Sequence, residues 1–152
     1  MIHTITENRI APFIRATTKK EALHELAELM HAACPACGST KDIATILAER
    51  EQIGSTGIGE AIAIPHGKMA GLSQIEICFG RSIPGIAFSS ADNKPVHFIF
   101  LLLAPLDSSG PYLKALARLA RFLKSPHTRS RLLHAESAHE IANIFAETSA
   151  FT

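Results

Sequence analysis

The sequence has no surplus of charge of either sign and no long apolar run. Its 152 residues contain 15 Lys and Arg against 14 Asp and Glu, a formal net charge of +1. Nucleic acids and anionic membranes attract proteins through an excess of positive charge, so this balance argues against both as general partners. No apolar segment of the sequence approaches the roughly 20 residues that cross a bilayer, which argues against membrane insertion.

Signals for export and for disulfide stapling are also missing. Glu7 and Arg9 interrupt the N-terminal segment where a signal peptide would be apolar. We therefore expect a cytoplasmic protein whose three cysteines are thiols. No repeat, low-complexity tract or long linker divides the chain, so its length predicts one domain over residues 1–152. A domain of this size removes about two thirds of its unfolded surface from water and needs no metal or disulfide to fold.

Helix signals stand at both ends of the chain. A capping box over 18–21 opens a helix, which the proline and glycine of 34–38 should end. A second helix is predicted from position 39 or 40 to about Gln52. In the last third, proline and capping patterns predict three further helices, which begin near Pro111, at Ser125-Pro126 and at Ser137.

The middle of the chain has the composition of β structure. Residues 61–64 and 75–81 are predicted strands, and residues 54–59 are predicted to form a loop. The segment 96–103 is almost continuously apolar and rich in aromatic and β-branched residues. Such a run is typical of a central strand that is covered by helices on both faces. Helices before and after this centre predict an α/β sandwich.

One segment in this middle region combines groups that suit phosphoryl chemistry. His66 follows a proline at a predicted strand end, and its imidazole has a defined direction because proline fixes the backbone. The next residue, Gly67, leaves the backbone open to a bulky ligand. Ser55 and Thr56 of the glycine-rich loop can supply donors to an anion, and Arg50 can supply a bidentate cation. The pattern predicts a histidine that accepts a phosphoryl group.

The same residues support other sites less well. The loop begins like a nucleotide-binding P-loop, but Glu60 occupies the place of the lysine. It lacks the third glycine of a dinucleotide fingerprint, and it precedes a strand instead of following one. A Ser–His–acid triad stays open, although the sequence has no G-x-S-x-G elbow. A structural role for His66 also stays open, because the chain has eight histidines and most histidines are solvated or bonded within the protein.

The segment resembles a known signature over three short stretches. These are Arg50-Glu51, Gly54-Ser-Thr-Gly-Ile-Gly59 and Ile62-Ala-Ile-Pro-His-Gly67. Together they resemble the active site of phosphotransferase-system enzyme IIA proteins of the fructose/mannitol type, and most closely the nitrogen-regulatory branch of that family. The resemblance implies the mannitol-type enzyme IIA fold, an α/β fold in which a mixed β-sheet is sandwiched between α-helices.

The resemblance also implies a function and a set of site residues. His66 would be the phosphoryl acceptor and Arg50 would stabilise the phosphate. Four further positions of the signature would lie beside the phosphate, namely Ser55, Thr56, Gly57 and Gly67. The donor would be a histidine-containing phosphocarrier protein of the HPr or NPr kind. The chain would then be a phosphocarrier, loosely a phosphotransferase, that signals its phosphorylation state to regulatory targets such as sensor kinases or transporters. No cofactor and no metal are implied.

One departure from the family pattern bears on this interpretation. Tyr112 stands where many relatives carry a second active-site histidine. Its hydroxyl can donate to a phosphate oxygen but has no positive charge near neutral pH, and Lys114 is a candidate for the missing charge. An interaction module that has lost phosphotransfer is therefore one alternative. Another is a sugar-specific enzyme IIA that passes phosphate to a IIB component, although the short chain has no room for a IIB domain and so favours a regulator. A homodimer also stays open.

Two further features have competing interpretations. Cys34-Pro-Ala-Cys37 fits a zinc half-site, a redox pair or a thiol sensor, but no second C-x-x-C is present, and two thiols in a turn are favoured. Cys78 lies in a predicted strand and is expected to be buried. The predicted helix after Pro111 carries a basic stripe that comprises Lys114, Arg118 and Arg121. We expect this stripe to be a solvated helix face, and a docking site for an acidic protein is the alternative.

Overall fold

A six-stranded mixed sheet forms the centre of the molecule in a computed structural model, which describes residues 5–147. Residues 1–4 and 148–152 of the predicted domain lie outside this described part. In chain order the elements are β1 (Ile10–Ala11), α1 (Lys19–Ala33), α2 (Thr40–Ile53), β2 (Gly57–Gly59), β3 (Ile62–Ala63), β4 (His66–Met69), β5 (Glu76–Ile86), β6 (Val96–Pro105), α3 (Ser109–Leu123), α4 (Pro126–His134) and α5 (Ala138–Ala146).

Strand β6 organises the sheet, because three other strands pair with it. The order is β1-β5-β6-β3-β2, and β4 also pairs with β6. On one side β5 runs antiparallel to β6. On the other side β3 and β4 both run parallel to it, with Ile62 opposite Phe98 and His66 opposite Leu102. Strands β3 and β4 are thus two parts of one interrupted strand along β6.

Helices cover both faces of the sheet, which explains why β6 is apolar at almost every position. Alternate side chains of β6 enter two separate cores, with Phe98, Phe100 and Leu102 on one face and Ile99, Leu101 and Leu103 on the other. The first core is closed by α3, α4 and α5, and the second by α1 and α2. This confirms the predicted α/β sandwich. None of the helices within residues 5–147 is both long enough and apolar enough to cross a membrane.

Four of the five predicted helix starts are confirmed by their caps, whereas the helix predicted from near Pro111 begins at Ser109 without a side-chain cap bond. The hydroxyl at each cap accepts a hydrogen bond from a backbone N–H three residues later, as N-capping requires. The four pairs are Thr18 with Glu21 at 3.2 Å, Ser39 with Asp42 at 3.0 Å, Ser125 with Thr128 at 3.3 Å and Ser137 with Glu140 at 3.1 Å. Helix α1 ends at Ala33, before a short 3-10 helix over Pro35–Cys37, as the proline predicts.

The strand predictions are wrong in three places. Half of the predicted loop 54–59 is strand, since Gly57–Gly59 pairs with β3. Strand β4 was not predicted, because Pro65 looks like the end of the strand before it. The Pro65 carbonyl accepts the Leu102 N–H at 2.9 Å, so the pairing with β6 resumes directly after the proline. Strand β1 has two residues and gives no periodic signal.

Candidate active site

His66 lies at the point where the strand beside β6 is interrupted. It is the first residue of β4, it is half-buried, and the peptide before it is held by the bond from Leu102 to Pro65. The following Gly67 faces α2, where an added Cβ would clash with the Ile46 side chain. The space predicted to be open to a ligand is therefore filled by Ile46, and the glycine lets α2 approach the sheet closely.

The hydrogen bonds of the His66 ring fix its tautomer. Nδ1 lies 2.7 Å from the Ile64 carbonyl oxygen, which can only accept, so Nδ1 carries the proton. The Arg50 Nε–H donates to Nε2 at 3.3 Å, so Nε2 presents its lone pair. Burial lowers the pKa of His66, the Arg50 charge lowers it further, and the Ile64 carbonyl opposes both. The site holds a neutral imidazole with a nucleophilic nitrogen beside a guanidinium.

Arg50 reaches the ring from the last turn of α2. Its Nη1 donates to the Gly54 carbonyl at 2.8 Å, just beyond the end of the helix, while its Nε faces His66. These two bonds use two of the five N–H donors of a guanidinium. Arg50 therefore stands where it can stabilise negative charge on a group that is bound to Nε2.

The glycine-rich loop is held by Glu51, a residue for which the sequence predicted no role of its own. Its carboxylate accepts from the Thr56 hydroxyl, from the Thr56 N–H at 3.2 Å and from the Lys19 ammonium at 2.8 Å. The Ser55 hydroxyl donates to the Phe88 carbonyl at 2.5 Å. The hydroxyls predicted to bind an anion are thus engaged in fixing the loop to its neighbours.

Gly57 packs the same loop against the segment that precedes β6. Its N–H donates to the Ser55 hydroxyl at 3.0 Å, and a Cβ at this position would clash with Ser90. The hydrogen bonds of Ser55, Thr56 and Gly57 thus connect the loop with its surroundings, whereas the hydrogen bonds of His66 involve Arg50 and Ile64. A direct contact of these three residues with a phosphate stays a prediction.

Tyr112 lies beside His66, as the sequence pattern predicts. It belongs to the first turn of α3, and its ring meets the His66 ring edge-on with the centroids 5.5 Å apart. Burial raises the pKa of Tyr112 and the Arg50 charge opposes it. The phenol therefore keeps its proton near neutral pH and is available as a hydrogen-bond donor.

A second cation, Lys68, approaches the site and was not predicted. Its Nζ lies 5.5 Å from the centroid of the Tyr112 ring and donates to the Ser109 hydroxyl at 3.1 Å. Lys114, the candidate named from sequence, is exposed and lies two residues beyond Tyr112, about 200° around the helix. Residues i and i+2 of a strand share a face, but Lys68 could not be placed beside His66 from the sequence because β4 itself was not predicted.

Comparisons with known proteins identify the family of the chain. Residues 3–148 match the family model "Phosphoenolpyruvate-dependent sugar phosphotransferase system, EIIA 2". The chain is 37% identical over 142 residues to a nitrogen regulatory protein of Bradyrhizobium diazoefficiens, with 93% of this chain and 92% of the relative covered. The Neisseria meningitidis nitrogen regulatory protein IIA-Ntr superposes with a TM-score of 0.87 at 32% identity, over 93% of this chain and 96% of that one.

The fold is shared more widely than the sequence. The crystal structure of IIA mannitol from Escherichia coli superposes with a TM-score of 0.78 at 19% identity, and the match covers 93% of this chain and 98% of that one. The predicted mannitol-type fold is therefore confirmed. The family match, the nitrogen regulatory relatives and the fold all agree, and the chain belongs to the EIIA type 2 family of the phosphoenolpyruvate-dependent sugar phosphotransferase system.

Proposed function

We propose that this chain is a regulatory phosphocarrier that accepts a phosphoryl group on Nε2 of His66 from a histidine-containing carrier protein of the HPr or NPr kind. The observation that carries the proposal is the arrangement of the ring, in which Nδ1 donates to the Ile64 carbonyl and Nε2 faces Arg50. A neutral imidazole with this tautomer has its lone pair on the nitrogen that is next to the cation. The phosphorylated and free forms would be distinguished in the cytoplasm by target proteins such as sensor kinases or transporters.

The transfer requires one bond to form and one to break. The Nε2 lone pair attacks phosphorus while the bond from phosphorus to the carrier's imidazole breaks, and the carrier's nitrogen keeps that electron pair. Nδ1 retains its proton throughout, and the Ile64 carbonyl supports the positive charge that develops on the ring. Arg50 exchanges its bond to Nε2 for bonds to phosphoryl oxygens. Positioning and charge supply the catalysis, as is usual for phosphoryl transfer.

Tyr112 and Lys68 complete the charge distribution in this proposal. The protonated phenol would donate to a phosphoryl oxygen, and the Lys68 ammonium, 5.5 Å from the centroid of the Tyr112 ring, would supply positive charge. Together they would replace the second histidine of many relatives. A phosphohistidine brings about −1.5 to −2 charges to this surface, by analogy with other phosphorylated side chains. Targets that bind the free form would then be repelled.

The decisive experiment is phosphorylation by the reconstituted relay. The chain is incubated with phosphoenolpyruvate, enzyme I and a carrier, and the intact mass is measured. We expect the mass of one phosphoryl group to be added to the wild-type chain and not to His66→Gln. His97→Gln is the matched control, because His97 is also half-buried on a strand with Nδ1 2.8 Å from a carbonyl oxygen, that of Ser82. Labelling of His66→Gln equal to wild type would refute the acceptor, and an unlabelled wild-type chain would favour the interaction module.

A second step separates a regulator from a sugar-transport component. The phosphorylated chain is mixed with purified IIB domains, and the loss of its label is followed. We expect the label to remain on the chain, because the proposed output is a signal and not a sugar phosphate. Rapid transfer to a IIB domain would assign the chain to sugar transport instead.

A further inference from the structure

The turn after α1 places two thiols in contact. Cys34 caps the helix, and Pro35–Cys37 forms one 3-10 turn that returns the chain toward it. The Cys37 thiol donates to Cys34 Sγ, and the two sulfur atoms lie 2.6 Å apart. A disulfide forms without strain only where the backbone already holds two cysteines close together. The turn does this for Cys34 and Cys37, so no helix or strand has to move.

The two thiols differ in their access to solvent. Cys37 is 1% exposed and belongs to the core that α1 and α2 close, whereas Cys34 is half-buried at its edge. Burial raises the pKa of Cys37, and the neighbouring Cys34 raises it further. A soluble oxidant therefore meets Cys34 first, and Cys37 stays a thiol behind it.

We propose that Cys34 and Cys37 form a reversible redox couple, in which Cys34 reacts with a peroxide and Cys37 resolves the product to an intramolecular disulfide. In the first step Cys34 sulfur attacks a peroxide oxygen, the O–O bond breaks, and the leaving oxygen takes a proton as water or alcohol. Cys34 becomes a sulfenic acid. In the second step Cys37 sulfur attacks Cys34 sulfur, the S–S bond forms, and hydroxide leaves with the Cys37 proton as water. A dithiol reductant reverses the reaction by exchange.

Other uses of these thiols are less well supported by their surroundings. Within residues 5–147, no three His, Cys, Asp or Glu side chains are arranged to hold a metal ion. Cys78 is fully buried 3.6 Å from the Met30 sulfur, and burial raises its pKa to about 12, so it stays outside the couple.

The experiment uses the full reduced chain, hydrogen peroxide, and alkylation of the remaining thiols after unfolding. We expect the wild-type chain to lose two hydrogens by intact mass and to retain one alkylatable thiol, and peptide mapping to show the link between Cys34 and Cys37. Cys78→Ser is the matched control, and it should lose the same two hydrogens. Cys37→Ala should form a sulfenic acid on Cys34 that dimedone traps, whereas Cys34→Ser should give no adduct on Cys37 at the same dose.

Several outcomes would overturn the proposal. A disulfide between two chains, a disulfide that includes Cys78, or a wild-type chain that keeps three thiols would each contradict the couple. A dimedone adduct on Cys37 in Cys34→Ser would contradict the assigned order of reaction. The peptide map of the wild-type chain needs no variant, so it decides the first question even if a substitution at buried Cys37 unfolds the protein.

Discussion

At the scale of single residues, the site depends on how each side chain is held before any phosphate arrives. The Ile64 carbonyl and Arg50 define the two nitrogens of His66 separately, so the ring needs no proton transfer to become a nucleophile. Arg50 on α2 contacts the His66 ring directly, and Lys68 on β4 lies over the ring of Tyr112, which is the aromatic neighbour of His66. Each of these contributions can be measured by itself.

The first prediction concerns the protonation of His66. Because its pKa is lowered in the folded protein, the ring should stay neutral at a pH where an ordinary histidine is already charged. In that window the folded state binds fewer protons than the unfolded state, so stability should rise with pH. Titration of ¹⁵N-labelled histidines by NMR should give a His66 midpoint below the ordinary value. Arg50→Gln should raise the midpoint, and a midpoint at or above the ordinary value in wild type would contradict the charge arrangement.

The second prediction separates two lysines. Lys68→Gln should slow phosphoryl acceptance by roughly tenfold, since the loss of a charge-assisted contact costs on the order of 1.5 kcal/mol. Lys68→Arg should keep most of the rate, and Lys114→Gln should leave the rate unchanged because Lys114 is exposed on the far side of α3. Initial rates with a phosphorylated carrier would measure this. Equal losses in Lys68→Gln and Lys114→Gln would show general attraction of the carrier instead of a local effect.

At the scale of elements, the site is assembled by the approach of α2 and α3 to the interrupted strand. Gly67 determines how closely α2 packs, and the end of α2 in turn carries Arg50 and Glu51. Glu51 then fixes the glycine-rich loop through Thr56. A change in the packing of one helix should therefore appear in the chemistry of His66.

The third prediction tests that packing. Gly67→Ala should lower the free energy of unfolding by about 1–3 kcal/mol, because the new methyl group meets Ile46. Ile46→Ala in the same chain should recover part of the loss, and chemical denaturation of the four variants in a double-mutant cycle would show the coupling. Gly54→Ala is the control, since its φ of 163° is extended and no atom lies within 4 Å of an added Cβ. Additive effects of the Gly67 and Ile46 substitutions would contradict the contact.

At the scale of the whole molecule, one buried cation ties distant parts of the chain together. Arg81 on β5 is 0% exposed, and its guanidinium donates to carbonyls of the N-terminal segment and of the end of α4. The distances are 2.9 Å to Pro12 and 2.8 Å to Leu132, and Ala135 also accepts. Since carbonyls left without donors are costly when buried, this residue should contribute to the stability of the entire fold.

The fourth prediction follows from this tie. Arg81→Met should lower the free energy of unfolding by roughly 3 kcal/mol, as several buried acceptors lose their donor. Arg131→Met should change it by about 0.5 kcal/mol or less, because the Arg131–Glu147 pair is exposed. Thermal and urea unfolding would compare the two variants. If Arg81→Met does not fold, Arg81→Lys keeps a donor and allows the measurement; similar stability of Arg81→Met and Arg131→Met would contradict the role.

Much of this molecule could be predicted from local sequence. The helix caps, the central strand β6 and the positions of His66, Arg50 and Tyr112 were predicted, because capping, apolar runs and the signature are all short-range patterns. Strand β4 was missed because its pairing depends on β6, whose partner residues lie 36 positions further along the chain, as in the pair of His66 with Leu102. The positions of Lys68 and Glu51 depend in the same way on contacts that only the folded chain brings together.

The interrupted strand has one more consequence for how a signal could be read. His66 belongs to the sheet and not to a loop. The Pro65 carbonyl before it accepts the Leu102 N–H, and the residues of β4 that follow it pair with β6. A phosphoryl group on His66 should therefore leave the conformation of the underlying sheet unchanged. The signal would then be a change in electrostatic potential and not a change in shape. A target protein would have to bind directly at His66 to detect it.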